Sequence, residues 1–180
     1  FRVAITGAPN VGKSSLLNRL AERDAAIVSS SAGTTRDVIE VHINLGGYAV
    51  IIADTAGICE ADDEIEVEGV RRARKLAEEA DMRIVVFDAT VLPALDAFTL
   101  DYVDGGDVVA INKSDIATQE LPKTIAKRPV CAVSAKTGDG LELFLAELTA
   151  EIQARLSVSE QPPLTRTRRR EALENCVAAL

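Results

Sequence analysis

Hydrophobic positions in this chain fall into short continuous runs, separated by stretches in which they recur every three or four residues. Six of the runs are rich in β-branched residues: Phe1–Ile5, Val38–Leu45, Ala49–Asp54, Arg83–Asp88, Val108–Asn112 and Val130–Ser134. Their length and content predict strands. In Val41-His-Ile-Asn-Leu, His42 alternates with apolar residues and is expected to face solvent. Gly46-Gly47, between the second and third runs, is a hairpin signal, so these two strands should be antiparallel neighbours. Helical spacing appears over Ser14–Arg23, Glu66–Ala80 and Leu141–Leu156, with a short segment near Leu95–Tyr102. Near-continuous apolar strands alternating with helices predict an α/β fold. The expected sheet is six-stranded and mostly parallel, with one antiparallel edge strand and helices on both faces. Gln161-Pro162-Pro163 breaks the pattern, and beyond it Leu173, Val177 and Leu180 keep helical spacing with no strand to pack on. Residues 1–160 are therefore expected to form one domain, and 161–180 to begin a truncated helical one.

With 180 residues, 47% of them hydrophobic, the chain has room for one substantial α/β core. Its apolar runs are too short to span a bilayer, and no membrane contact is expected. The sequence starts at Phe1, close to the first strand, with neither an initiator Met nor a signal sequence, as expected of a piece of a longer protein. A net charge of −8 disfavours general nucleic-acid binding. Arg166, Arg168, Arg169 and Arg170 form a local exception, read either as a solvated helix face or as a dock for RNA or a partner. Cys59, Cys131 and Cys176 share no metal-ligand spacing and cannot all pair, which fits a reducing, cytoplasmic setting. Cys131 is expected in the core. Cys59 falls in a loop, as an ordinary small residue or a reactive one. His42 is the only histidine, so catalysis by histidine and His-rich metal sites are excluded.

The candidate chemistry begins at residues 7–14, Gly-Ala-Pro-Asn-Val-Gly-Lys-Ser, which match the phosphate-loop pattern G-x-x-x-x-G-K-[ST] between a strand and a helix. In that setting the backbone of Asn10, Val11, Gly12, Lys13, Ser14 and Ser15 wraps phosphates. Lys13 reaches the β- and γ-phosphates, and the Ser14 hydroxyl joins a Mg²⁺ shell. Asp54-Thr55-Ala56-Gly57 closes another strand: Asp54 is placed to hold Mg²⁺ through water, and the Gly57 N–H to read the γ-phosphate. Asn112-Lys113-Ser114-Asp115 closes a third. There the Asp115 carboxylate can accept from guanine N1–H and the exocyclic amine together, where adenine offers an acceptor and no amine. Asn112 can tie this loop to the phosphate loop, the Lys113 stem can cover the base, and Ser134-Ala135-Lys136 can supply backbone contact to the guanine carbonyl. The expected ligand is GTP or GDP.

These motifs resemble those of the translation-factor-related GTPases, and within them the TrmE-Era-EngA-like (Era/Der/TrmE) group. The marks are Pro9-Asn10 in the phosphate loop and Gly33-Thr-Thr-Arg-Asp37 in the first switch. Ala25-Ala-Ile-Val28, Asp54-Thr-Ala-Gly-Ile58 with the acidic loop running to Glu66, and the tail Thr165-Arg-Thr-Arg-Arg-Arg-Glu-Ala-Leu are most similar to the MnmE (TrmE) family. The resemblance covers essentially the whole chain. It implies a Ras-like P-loop GTPase fold and GTP hydrolysis that drives carboxymethylaminomethyl modification of the tRNA wobble uridine (U34). The implied partners are an FAD-dependent protein, MnmG (GidA), reached through the full-length protein, and tRNA, bound by other domains or by the complex. A homodimer formed through the G-domain switches is also implied. The resemblance places Ser29, Ser30, Ser31, Ala32, Gly33, Thr34 and Thr35 beside the nucleotide, with Thr35 joining Ser14 and Asp54 around Mg²⁺.

Ile58 stands where Ras-like enzymes carry a water-orienting glutamine, and an apolar side chain cannot do that work. The resemblance assigns it to Glu66, leaving Lys13 and Glu66 as the catalytic pair. Glu60, Asp62, Asp63, Glu64 and Glu68 crowd the same stretch, so a plain solvated acidic loop is the competing reading. No arginine finger is evident in the chain. The resemblance implies K⁺ in that role, held by the Asn10 amide oxygen and the carbonyls of Ser29, Ser31 and Thr34. Arg36 and Asp37 either hold the loop or a domain contact, or touch nucleotide. The family's N-terminal folate-binding domain, most of its helical domain and its C-terminal Cys motif are missing from this sequence. The alternative function is an Era- or Der-type ribosome-assembly switch.

Overall fold

The computed structural model of the protein describes residues 1–23, 27–30, 39–54, 75 and 77–159. Its strands are β1 (Arg2–Thr6), β2 (Ile27–Ser30), β3 (Ile39–Leu45), β4 (Tyr48–Asp54), β5 (Met82–Asp88), β6 (Val108–Asn112), β7 (Thr124–Ile125) and β8 (Arg128–Ala132). The helices are α1 (Lys13–Arg23), the short α2 (Ala97–Leu100) and α3 (Leu141–Ser159), with 3₁₀ turns at Ala89–Val91 and Ser114–Ile116. Residues 75 and 77–79 are also helical.

The strands lie in the order β2-β3-β4-β1-β5-β6-β8-β7. Strands β4, β1, β5, β6 and β8 run parallel, while β2, β3 and β7 are antiparallel to their neighbours. The mostly parallel α/β sheet agrees with the sequence reading, but the described residues form eight strands where six were expected, and two of them, β3 and β7, run against the rest where one antiparallel edge strand was expected. The two additions, Ile27–Ser30 and Thr124–Ile125, are four and two residues long. Neither carries enough apolar pattern to register as a run, and each is held by pairing with a longer neighbour. At Gly46 and Gly47 φ is 59° and 93°, the left-handed pair that a two-residue hairpin needs, and the turn joins β3 to β4 as expected.

Alternation distributes the central strands between two cores. Ile84, Val86, Val108 and Ala110 face one side, with Leu16, Leu17 and Leu20 of α1 and Phe144, Leu148 and Ile152 of α3. Val85, Phe87, Val109 and Ile111 face the other, packed on by Leu92, Leu95, Leu100 and Tyr102. Both faces are thus covered, which is why these strands read as continuous apolar runs. On β3, Val41, Ile43 and Leu45 are buried while His42 and Asn44 are exposed, so His42 faces solvent as its spacing predicts. Cys131 is half-buried at the edge of the first core rather than inside it. The helical pattern expected over Glu66–Ala80 falls mostly outside the described residues, as does the break and helical start expected over 161–180. Among the described residues no helix is long and apolar enough to cross a membrane.

Burial, with a smaller push from Glu147, raises the Cys131 thiol to about 11 from its ordinary 9.0. At pH 8 it should carry about a hundredfold less thiolate than an unperturbed thiol. Iodoacetamide followed by peptide mapping should find Cys131 alkylated correspondingly slowly, with the rate rising toward pH 11.

Candidate functional site

Because β1, β4, β5, β6 and β8 are parallel, their carboxyl ends lie along one edge of the sheet, where ligands of open α/β folds bind. The loop after β1 is the phosphate-loop motif. Its two glycines have backbone reasons. At Gly7 φ is 149°, and a Cβ would overlap the Val86 carbonyl oxygen; at Gly12 φ is 93°, and a Cβ would overlap the Asn112 side-chain amide. The loop therefore lies flush against the ends of β5 and β6. It leads into α1, where the Leu16 N–H bonds the Gly12 carbonyl at 2.9 Å.

Lys13 is buried at the start of α1, and its ammonium donates to the carbonyls of Gly7 (2.8 Å) and Ala8 (2.7 Å). Asp54, at the end of β4, is fully buried on the same strand face as Val50 and Ile52, the face that α1 covers. The Ser14 hydroxyl, one residue into α1, donates to Asp54 Oδ2 at 2.5 Å. A hydroxyl and a carboxylate brought this close at a helix N-terminus are the hard oxygen donors that Mg²⁺ takes. The residues present fit that ion.

Asn112 ends β6 and spans two loops. Its Nδ2 donates to the Val11 carbonyl at 2.8 Å, and its Oδ1 accepts from the Ala135 N–H at 3.0 Å. This is the tie between base loop and phosphate loop that the sequence predicts. Lys113 follows with φ 64°, and its ammonium bonds the Asn10 carbonyl (2.8 Å) and Asp88 Oδ2 (2.6 Å). Asp115 is exposed in the Ser114–Ile116 turn, where its Oδ1 accepts from the Ser134 hydroxyl at 2.7 Å. Ser134 is fully buried, and the same Oγ accepts from the Thr137 N–H at 3.1 Å. Asn10 is exposed on the rim of the phosphate loop.

Two residues that the sequence reading passed over also organise the site. Asp88 ends β5 beside Asn112, its register partner on β6. Burial pushes its carboxyl up, but hydrogen bonds from Lys113 and Thr90 and the Lys113 charge outweigh that and hold it below the ordinary carboxylate value. Its signal was present: an acidic residue closes an apolar run, as Asp54 does. Arg19, on α1, donates to the carbonyls of Ala135 (3.1 Å) and Lys136 (2.5 Å) and so braces the third base-side loop. A lone arginine on a helix gave no signal. Of the remaining expected residues, Ser29 and Ser30 belong to β2, paired with Glu40 and Ile39. Ser31, Ala32, Gly33, Thr34, Thr35, Thr55, Ala56, Gly57 and Glu66 lie outside the described residues.

A phosphate loop on the central strand, a hydroxyl–carboxylate pair for a divalent ion and a braced base-side loop define the nucleotide site of a P-loop GTPase. A family model described as 50S ribosome-binding GTPase matches residues 2–131, and the chain belongs to that family. It is a GTP hydrolase. The tRNA modification GTPase MnmE of Paramagnetospirillum magneticum is 54% identical over 180 residues, covering 100% of this chain and 41% of that protein. The MnmE of Maricaulis maris is 48% identical over 181 residues, covering 100% and 40%. The chain thus spans about two fifths of the length of these relatives. Among solved structures, Era of Aquifex aeolicus bound to GDP·AlF4⁻ superposes with a TM-score of 0.64 at 29% identity, covering 83% of this chain and 56% of that one. The G domain of the T. maritima FeoB iron transporter gives 0.60 at 25%, covering 84% and 98%.

Proposed function

We propose that this chain is the G domain of an MnmE-like protein, in which K⁺-stimulated GTP hydrolysis drives carboxymethylaminomethyl modification of the tRNA wobble uridine (U34). The observation that carries this reading is 54% identity to an MnmE along all 180 residues, loops and tail included. The backbone of Asn10–Ser15 holds the phosphates, with Lys13 against the β- and γ-phosphates. Ser14 and Thr35, with Asp54 through water, hold Mg²⁺, which when bound neutralises charge on the transferring phosphoryl oxygens. Asp115 selects guanine, Lys113 covers the base, and Ser134-Ala135-Lys136 meets the guanine carbonyl. Ser29–Thr35 and Thr55-Ala56-Gly57 contact the nucleotide, with the Gly57 N–H bonding the γ-phosphate. Asn10, with the carbonyls of Ser29, Ser31 and Thr34, would hold K⁺, which would supply the positive charge that an arginine finger gives elsewhere, worth about 10³–10⁵ in rate. Glu66 orients the attacking water.

In the full-length cytoplasmic protein, switch-to-switch homodimerisation couples hydrolysis to modification, which needs MnmG and tRNA bound through other regions. Replacing the matching segment of the P. magneticum MnmE with residues 1–180, in cells lacking the enzyme, should restore modified U34 detected by mass spectrometry of tRNA nucleosides. A chimera that hydrolyses GTP yet restores no U34 modification would favour the second reading, an Era- or Der-type ribosome-assembly switch. That reading rests on the superposition, TM-score 0.63, with an Era solved in complex with 16S ribosomal RNA nucleotides. Its 29% identity and the net charge of −8 of this chain count against it.

A further inference from the structure

Consecutive residues of the base loop grip consecutive carbonyls of the phosphate loop. Asn112 Nδ2 holds the Val11 carbonyl, and Lys113 Nζ holds that of Asn10. A trans peptide points its C=O and N–H in opposite directions. Fixing these two carbonyls toward β6 therefore turns the N–H groups of Val11 and Gly12 the other way, into the loop.

The second grip needs support that the first does not. Asn112 is a neutral amide with both ends bonded, whereas the Lys113 ammonium sits on a flexible stem. Both residues it joins, Lys113 (φ 64°) and Asn10 (φ 62°), hold left-handed backbone without being glycine. Asp88 supplies the support. Its Oδ2 accepts from Lys113 at 2.6 Å, while its Oδ1 accepts from the Thr90 N–H (2.8 Å) and hydroxyl (2.7 Å). With both oxygens engaged and the residue 8% exposed, the carboxylate has one orientation, aimed at Lys113.

We propose that Asp88 is a positioning residue for guanine-nucleotide binding: by fixing Lys113 it sets the Asn10–Val11 peptide plane, so that the base loop and the phosphate loop form as one unit. Asp88 touches no nucleotide; it acts through Lys113.

The test is a double-mutant cycle on the 180-residue chain, read as the dissociation rate of N-methylanthraniloyl-GDP. Asp88→Asn keeps the size and the Thr90 contacts but presents an amide to the ammonium, and should speed dissociation about tenfold. Lys113→Met keeps the stem and removes the head. In that background Asp88→Asn should add nothing, because the group it positions is gone. The ³¹P resonance of the β-phosphate of bound GDP should shift in Asp88→Asn, which a fault confined to the base pocket would not cause. Thr90→Val, at an exposed residue, removes one bond to Asp88 and should give a change of about threefold in the same direction, should Asp88→Asn fail to fold. Unchanged dissociation in Asp88→Asn, or in Thr90→Val where only that variant folds, overturns the proposal. So do effects that multiply in the double variant.

Discussion

Asp115→Ala is expected to erase the preference for guanine, reducing the GDP-to-ADP affinity ratio by on the order of 10⁴-fold. The carboxylate is held in the Ser114–Ile116 turn by the Ser134 hydroxyl at 2.7 Å, and Ser134 is itself locked by the Thr137 N–H. In the proposed function a carboxylate so placed would take both donors on the guanine edge, N1–H and the exocyclic amine. Adenine presents an acceptor at N1 and would leave it unpaired, so the site gains twice: two charge-assisted bonds to guanine, and rejection of the rival base. No bond of the phosphate loop passes through Asp115, so binding of the phosphates should survive and the loss should fall on base selection. Titration of the variant with GDP and with ADP checks this. A ratio retained within about tenfold would show that Asp115 does not read the base.

Asn112→Ala should do the broader damage. One buried side chain bonds the Val11 carbonyl and the Ala135 N–H, joining the phosphate loop to the base-side loop. Its removal strands two groups in a water-poor position, at about 1–3 kcal/mol each. GDP affinity should fall by about 10²-fold or more. The melting temperature should fall by about 4–24 °C, given roughly 2–4 °C per kcal/mol for a chain of this size. Calorimetry with and without GDP separates the two. A variant with native melting temperature and weakened binding would mean that the brace forms only around the ligand; a variant unchanged in both would remove Asn112 from the account.

The central sheet was legible because the parallel strands are buried on both faces and so write themselves as apolar runs, such as Val108–Asn112. The phosphate loop, Asp54 and the Asn112–Asp115 loop were legible because backbone geometry demands particular residues at fixed spacing, and the overlap a Cβ at Gly12 would make with Asn112 is a direct instance. The short strands Ile27–Ser30 and Thr124–Ile125 were not, since partner strands rather than their own pattern hold them. Asp88 escaped because its role appears only when β5 is set beside β6, and Arg19 because reaching the carbonyls of Ala135 and Lys136 depends on how α1 lies over the sheet. Both partnerships are tertiary relations that no local spacing encodes, although the place of Asp88 at the end of an apolar run was visible in the sequence.

GTP hydrolysis by this chain with Mg²⁺, in KCl against NaCl at equal ionic strength, decides whether it is the proposed K⁺-stimulated GTPase of the MnmE type. A large K⁺-specific stimulation is expected, lost in Asn10→Ala and with hydrolysis abolished in Glu66→Ala. Equal, slow rates in the two salts would contradict it.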